Sequence, residues 1–257
     1  MDIIETISNH RSIRKFKKDP VTEELLTQIL GAGIRAASYG NMNPYSIVVS
    51  RERATRERLF EPLKNQQMVL DAPVLLTLCA DFRKMRKWLK MNEAPDNFGD
   101  FSAFMIAAID VALVAQNVAL AAEGYGLGIC YIGATLTNTH LVGEVLELPP
   151  GVVAITSIVM GWPDEDPPLR DRLPLSGLVH RERYEDRTDE EVKRIYRERD
   201  SVGWDRYMSN DRLREMVEAS DVKNLAQLYT TLKYTPDAHD RQSASLLEYL
   251  REQGFLD

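Results

Sequence analysis

The sequence predicts an α+β domain followed by a helical C-terminal extension. Four short apolar segments have the composition of strands, and they are interspersed with helical segments. One central segment is apolar along almost its whole length and predicts a single long helix. From residue 188 onward the chain is highly charged and helical in pattern. This mixed order favours one sheet-and-helix domain to which helices are appended.

The first part of the chain predicts two helices and then a strand. "MDIIETISNH" indicates a short amphipathic helix, and residues 20–37 predict a longer one that begins near Pro20 and Thr22. A turn-rich loop, "SYGNMNP", separates this helix from the strand "YSIVVS" at 45–50. The next elements are an exposed helix at 51–64, a buried strand at 72–82 and a polar surface segment with a short helix at 83–101.

Residues 103–123 form the most apolar segment and approach the length of about 20 residues that spans a membrane. Asp110, Gln116, Asn117 and Glu123 interrupt the segment, and such groups are costly inside a bilayer. We therefore expect a helix in the core or at a subunit interface, and no membrane partner.

Three glycines in "EGYGLG" at 123–128 suggest a dinucleotide fingerprint. That fingerprint needs a strand before it and a helix after it, whereas here a helix precedes and a strand follows. The glycines therefore predict a helix end and a tight turn. The remaining elements are a strand at 129–133, a helix at 138–149, a strand at 152–163, an extended Pro-rich segment at 164–180 and helices at 188–200, 208–220 and 240–253.

The composition is that of a soluble globular protein, and it argues against several classes of function. The net charge of -7 disfavours a nucleic-acid partner, which needs a broad basic face. Cys79 and Cys130 lie far apart and the four histidines are scattered, so neither a disulfide framework nor a metal site is expected. The N-terminal segment lacks the features of a signal peptide, and together with the cysteine usage this favours the cytoplasm.

A basic cluster, "HRSIRKFKKDP" at 10–20, contrasts with this acidic composition. Four interpretations are open: a targeting peptide, a nucleic-acid patch, a solvated surface, or a pocket for one small phosphate. Arg11 and Arg14 have planar guanidinium groups that bind phosphate oxygens through paired hydrogen bonds, and Ser12 and His10 add donors. The three lysines that follow have the pattern of ordinary solvated surface.

The chain has no evident catalytic nucleophile. It contains neither a G-x-S-x-G elbow nor a phosphate-binding loop, and no pair of carboxylates has a spacing that indicates acid–base work. If the protein is an enzyme, the chemistry is expected to belong to an organic cofactor.

Further positions along the chain follow in an order that matches a known family. They lie in the loop after the second helix, before the second strand, at the end of the third strand and after "GWP". These positions are Ser38, Asn41, Gln66, Tyr131, Ile132, Gly133, Arg170 and Arg172. With the ordered strings "HRSIRKF", "ASYGNMNP", "AQNVALAAEGYGLGICYIG", "GWPDEDPPLRDRLP" and "LVHRERY", the chain resembles the FMN-dependent nitroreductase family. The resemblance is closest to the oxygen-insensitive NAD(P)H nitroreductase and flavin reductase branch.

The resemblance implies a nitroreductase-like fold, in which a central mixed or antiparallel sheet is flanked by helices in an intertwined homodimer. It implies an FMN-binding domain over residues 1–183 and a helical extension over 184–257. FMN is expected at the dimer interface, with residues from both copies around it. The long helix at 103–123 would then lie in the dimer core.

The resemblance also implies a role for each matching position. His10, Arg11, Ser12 and Arg14 match the motif at the FMN phosphate and ribityl chain. The loop of the other copy contributes Ser38 and Asn41, near phosphate and ring. Gln66 matches the residue that contacts the edge of the flavin ring, and Tyr131, Ile132 and Gly133 match the segment at its pyrimidine side. Arg170 and Arg172 match a basic pair after "GWP".

The implied reaction is hydride transfer from NADPH or NADH through flavin N5 to a nitroaromatic, quinone or flavin acceptor, in a ping-pong order. Two departures from the family pattern leave the acceptor and the hydride donor open. The loop "SYGNMNP" carries Tyr39, which would narrow the acceptor pocket. The choice between NADPH and NADH is open, because Arg197, Arg199 and Arg206 are candidates for the ribose phosphate but nothing in the sequence places them.

Two other functions remain open at this stage. One is a specialised flavin enzyme of the same fold, such as a reductive dehalogenase or a flavin-fragmenting enzyme, with the segments at 83–101 and 188–257 as a lid. The other is a non-catalytic flavin-binding redox sensor whose charged tail docks another protein.

Overall fold

A computed structural model describes residues 2–256 of the chain. The chain forms two compact units, one of residues 2–168 together with 242–256 and the other of residues 169–241. This division differs from the predicted boundary at 183/184. The end of the chain belongs to the first unit because Tyr249, Leu250 and Phe255 pack with Phe82 and Val153 in one buried cluster.

The first unit contains a four-stranded sheet in which every neighbouring pair is antiparallel. Its strands are β1 Tyr45–Ser50, β2 Val74–Asp81, β3 Gly128–Ile132 and β4 Val152–Gly161. The order across the sheet is β1-β2-β4-β3, so β1 and β3 are the two edge strands. All four predicted strands are confirmed, and the predicted α+β class with them.

The helices of the described residues agree with the predicted order. They are α1 Ile3–Ser8, α2 Glu23–Gly33, α3 Arg53–Phe60, α4 Met68–Asp71, α5 Arg83–Met91, α6 Phe101–Gly124, α7 Ala134–Thr137, α8 Thr139–Val145, α9 Leu175–Leu178, α10 Asp189–Met208, α11 Asp211–Glu218, α12 Leu225–Gln227 and α13 Pro236–Glu252. A π-helical segment, Leu228–Lys233, follows α12. Neither of these two elements was predicted, nor were the short helices α4, α7 and α9, and α9 lies within the segment at 164–180 that was predicted to be extended.

Side-chain caps set several helix boundaries. The Thr22 hydroxyl accepts a hydrogen bond from the Leu25 amide at 3.2 Å and starts α2, where the sequence placed the start. Asp100 caps α6 in the same way through the Ala103 amide at 2.8 Å. Just beyond α6, Gly126 has φ +85°, a left-handed conformation that favours glycine. The glycines at 124–128 therefore form the predicted helix end and turn.

The core lies on both faces of the sheet. All eight residues of β2 are buried, and successive side chains point to opposite faces. Leu76 packs with α2 and α6 on one face, whereas Leu75 packs with Leu59 and Leu63 of the α3 region on the other. The sheet is therefore covered by helices on both sides.

Helix α6 is the one helix of residues 2–256 that is long and apolar enough to cross a membrane. About half of that stretch is buried within the protein, where it packs against α2 and β2. The placement agrees with the predicted core helix.

Candidate functional site

The basic segment His10–Arg14 lies along the free edge of β3. The amide of Ile13 donates a hydrogen bond to the carbonyl of Ile129 at 2.8 Å, and Ser12 forms an isolated parallel bridge with the same residue. Gly128 permits this approach, because a Cβ there would lie 2.6 Å from Cγ1 of Ile13. The segment therefore runs beside the strand that ends in Tyr131 and Ile132.

The charged donors of this segment differ in how far they are already engaged. Arg11 donates from Nη1 to Oδ1 of Asp166 at 2.6 Å and to the carbonyl of Pro167 at 3.3 Å. Arg14 is exposed, and among residues 2–256 its guanidinium makes one long hydrogen bond, to the carbonyl of Ser12 at 3.4 Å. Since Asp166 is 88% exposed, its ion pair with Arg11 is weak and open to competition by another anion.

The backbone of the same segment already binds a carboxylate. The amides of Arg14 and Lys15 donate to Oε1 of Glu165 at 2.5 and 3.1 Å. Arg11 and Glu165 also line a cavity of about 270 Å³ beside the segment. The segment is thus an anion-binding element by its donors and by the anion that it holds.

The other end of β3 carries the residues predicted for the flavin ring. Ser12 lies next to Ile129, and Tyr131 is two residues further along the strand, a rise of about 7 Å. The Tyr131 hydroxyl donates to Oε1 of Gln116 at 3.5 Å. Burial and the nearby Glu123 raise the pKa of Tyr131 to about 12, so the phenol is neutral near pH 7.

Gln66 lies between two residues of a buried cluster that also includes part of β3. Its side chain donates to the carbonyl of Leu63 at 2.8 Å. Leu63 and Met68, on either side of it, belong to the same buried cluster as Ile13 and Ile132. The structure therefore places the predicted residues His10, Arg11, Ser12 and Arg14 beside β3, whose far end carries Tyr131, Ile132 and Gly133, and relates Gln66 to them only through the cluster of Leu63 and Met68. Tyr131 packs in a different buried cluster from Ile132.

Ser38 and Asn41 lie in the loop before β1, at the opposite edge of the sheet. The hydroxyl of Ser38 donates to Oδ2 of Asp110 at 2.6 Å and accepts from the amide of Asn43 at 2.9 Å. Gly40, Asn41 and Asn43 all have left-handed φ values, which glycine and asparagine tolerate best. The residue types of "SYGNMNP" therefore match the backbone that the loop requires.

Helix α6 shows how far the His10–Arg14 segment lies from the loop that carries Ser38 and Asn41. Glu123 of α6 contacts His10, and Asp110 of the same helix contacts Ser38. Thirteen residues of helix rise about 20 Å. One copy of the chain therefore holds the two predicted halves of the site apart.

Arg170 and Arg172 belong to the second compact unit. Arg172 donates from Nη1 to the carbonyls of Arg170 and Asp171 at 3.3 and 3.1 Å. In the same unit, Arg199 donates to the carboxylate of Asp171, and Nη1 of Arg206 lies 3.8 Å from it. Two of the three arginines considered for a ribose phosphate thus face an internal carboxylate.

Three carboxylates of the site were missed as site residues: Asp110, Glu123 and Glu165. The signal for two of them was present, since Asp110 and Glu123 interrupt an otherwise apolar helix. An acidic group in such a helix needs a specific partner when it is buried. Asp110 is 2% exposed and binds the Ser38 hydroxyl.

A sequence profile described as the Nitroreductase family matches residues 7–162, which is more than half of the chain. The chain belongs to the nitroreductase family. The "Oxygen-insensitive NADPH nitroreductase" of Salmonella typhimurium is 33% identical over 206 residues, which cover 77% of this chain and 84% of that protein.

Solved structures agree with this placement over the whole chain. A structure from Bacteroides fragilis NCTC 9343 is 38% identical with a TM-score of 0.90, covering 98% of this chain and 100% of that one. The NADPH:FMN oxidoreductase from Vibrio harveyi, complexed with NAD+, is 29% identical with a TM-score of 0.76, covering 99% of each chain. The similarity to these two structures therefore extends over the C-terminal helices.

Proposed function

We propose that the protein is an NAD(P)H-dependent FMN oxidoreductase that reduces nitroaromatic, quinone or flavin acceptors. The observation that carries the proposal is the docking of the basic segment His10–Arg14 along β3. It places an anion-binding element beside Tyr131–Gly133, the segment assigned to the flavin ring. The names of the relatives, an NADPH nitroreductase and an NADPH:FMN oxidoreductase, support the same function.

The donor set fits the phosphate of FMN. A phosphomonoester carries a charge of about −1.5 to −2 near neutral pH and accepts hydrogen bonds only. Arg11 and Arg14 supply guanidinium donors, and Ser12 and His10 supply a hydroxyl and a ring N–H. Arg14 is the least engaged of these groups and is exposed. These four residues would hold the phosphate end.

When bound, FMN supplies the redox chemistry by taking a hydride at N5 and passing two electrons to an acceptor in a ping-pong order. The chain's own residues bind and orient it. Gln66 and the 131–133 segment would contact the ring, and the half-buried Tyr131 would present a neutral phenol there. Either NADPH or NADH is the donor.

The second half of the site is proposed to come from a second copy. Ser38 and Asn41 lie about 20 Å along α6 from the His10 group, so one copy does not complete the site. Phe101, Met105, Ile109 and Leu113, spaced four residues apart on α6, are 42–55% exposed. Such an apolar stripe on a core helix favours a homodimer in which α6 is covered.

The proposed location is the cytoplasm, and the partners are a second copy and a small-molecule acceptor. FMN and NAD(P)H are soluble cytoplasmic cofactors, and both cysteines are free and buried. The basic segment is engaged along β3 and with Glu165, which supports a small phosphate rather than nucleic acid as its ligand.

The test is FMN binding followed by turnover. The purified protein is expected to be yellow, or to take up FMN with quenching of flavin fluorescence, and to oxidise NADPH or NADH with a nitrofuran or a quinone. A colourless protein that does not take up FMN would contradict the proposal.

Anaerobic stopped-flow measurements separate the other two functions from this one. Bound FMN that NAD(P)H does not bleach would indicate a redox sensor. Bleaching without turnover of any nitro compound or quinone would indicate a specialised flavin enzyme of the same fold.

A further inference from the structure

Glu123 occupies a position that is unfavourable for a carboxylate in three respects. Its side chain is only 12% exposed. It lies in the last turn of α6, where the helix dipole disfavours negative charge. Its Oε2 is buried and has no hydrogen-bond partner within residues 2–256. Residues that break several local rules at once are expected mainly at functional sites.

The other oxygen of Glu123 has one strong partner, the ring of His10. Oε1 lies 2.7 Å from Nδ1 of His10, whose side chain is 28% exposed. A carboxylate oxygen only accepts, so Nδ1 carries the proton in this contact. The ring is thereby fixed in orientation, and Nε2 is the nitrogen left for another group.

Glu123 also adjoins the other end of the proposed flavin site. Its charge is one cause of the raised pKa of Tyr131, after burial. It lines the same cavity of about 270 Å³ as Arg11 and Glu165. The carboxylate thus contacts His10 of the phosphate segment and is near Tyr131 of the segment proposed for the flavin ring.

We propose that Glu123 is a positioning residue for the cofactor phosphate, acting through His10. Glu123 holds Nδ1 of His10, and Nε2 then donates to a phosphate oxygen. A ring that donates from both nitrogens is cationic, and Glu123 is the carboxylate that balances its charge. This inference rests on the proposed FMN function, because it needs a phosphate beside His10.

Riboflavin provides the discriminating probe, because it has the ring and ribityl chain of FMN but no phosphate. Glu123→Gln is expected to raise the Kd for FMN roughly tenfold and to leave the Kd for riboflavin unchanged. His10→Asn is expected to have the same selective effect. The double variant is expected to be no weaker than either single one, since both remove the same contact.

Glu57→Gln serves as the matched control. It makes the same change of carboxylate to amide in an exposed pair with Arg53 on α3, and it is expected to change neither Kd. Equal weakening of FMN and riboflavin by Glu123→Gln would mean that Glu123 only supports the fold and would overturn the inference, as would unchanged FMN binding. A wild-type protein that binds neither flavin would instead refute the proposed function.

A second measurement does not depend on any Glu123 variant folding. The ¹⁵N resonances of His10, assigned by their loss in His10→Asn, report which ring nitrogens carry protons. In the FMN-bound wild-type protein both nitrogens are expected to be protonated at neutral pH. An unprotonated Nδ1 would contradict the inference.

Discussion

Gly128 shows how one residue places the phosphate-binding segment. A Cβ at this position would lie 2.6, 2.7 and 2.9 Å from three side-chain carbons of Ile13. Distances that short are not tolerated, so Ile13 or β3 would have to shift if residue 128 had a side chain. The segment that contains His10–Arg14 therefore depends on the missing side chain at 128.

Gly128→Ala is accordingly expected to destabilise the protein by about 1–3 kcal/mol and to weaken FMN binding, because Ile13 and its neighbours must shift. Urea unfolding and FMN titration measure the two effects. Gly124→Ala is the control, since a Cβ there has no neighbour within 4 Å. Equal stability of the two variants would contradict the explanation.

Variants of Arg14 and Lys17 distinguish specific phosphate binding from a general effect of positive charge. Both are exposed residues of the basic cluster at 10–20. Hydrogen bonds to charged groups contribute about 1.5–3 kcal/mol each, so Arg14→Ala is expected to raise the Kd for FMN roughly ten- to hundredfold. Lys17→Ala removes the same charge and is expected to change it less than twofold. If the two variants behave alike, Arg14 is ordinary solvated surface.

At the scale of elements, Asp81 connects β1, β2 and α5. Burial by itself raises the pKa of Asp81, but hydrogen bonds from Ser46 and Lys84 and from the Arg83 amide outweigh it and lower the pKa below 3.8. Ser46 donates to it at 2.5 Å and Lys84 at 3.0 Å. The carboxylate therefore stabilises the fold as long as it is ionised.

The expected pH dependence follows from the direction of that shift. The contribution of Asp81 is fully present above the unfolded-state pKa near 3.8 and is lost as the pH falls through the lower native pKa. Asp81→Asn is expected to lower the free energy of unfolding at pH 7 by about 1–2 kcal/mol. The free energy of unfolding of this variant is also expected to fall less steeply than that of the wild type as the pH drops below about 4. Urea unfolding from pH 2.5 to 7 measures this, with the exposed Asp19→Asn as control. A variant as acid-sensitive as the wild type would refute it.

Helix α6 is the element that organises the site. Asp110 holds the Ser38 loop, and Glu123 holds the His10 ring. The apolar residues of α6 form its core face and, from Phe101 to Leu113, its exposed stripe. One helix therefore fixes both halves of the proposed site and sets their separation.

For the whole molecule, the prediction concerns assembly. Ile109 lies in the middle of the exposed stripe of α6 and is 55% exposed. Ile109→Asp is expected to convert a dimer into a monomer and to weaken FMN binding at least tenfold, because a charge buried in an apolar interface costs several kcal/mol. Light scattering after gel filtration gives the mass, and FMN titration gives the affinity.

Two controls accompany this variant. Ile109→Leu keeps the apolar stripe and is expected to remain a dimer. Val192→Asp puts the same charge at an exposed position on α10 and is expected to change neither mass nor affinity. A monomeric wild type that binds FMN fully would show that the site does not need a second copy.

Much of the fold was predictable because its determinants are local. The strand "YSIVVS" at 45–50 is observed at Tyr45–Ser50, and Thr22 starts α2 through a hydrogen bond to the residue three positions ahead. The short helices α4, α7 and α9 and the elements between residues 225 and 233 were missed, since three to six residues carry little periodic signal. The ordered strings around His10, Tyr131 and "GWP" identified the family, which the profile match confirms.

The sequence by itself determined the order of the main helices and strands and the start of α2, since these depend on residues a few positions apart. It also identified the family, from strings that occur in a fixed order along the chain. Only the tertiary structure decided which groups meet. Glu123 and His10 are 113 residues apart, and Glu165 and Arg14 are 151 apart, so packing onto one sheet edge is what joins them. The tertiary structure also keeps Ser38 apart from His10. Ser38 contacts Asp110 and His10 contacts Glu123, and these two positions of α6 are about 20 Å apart.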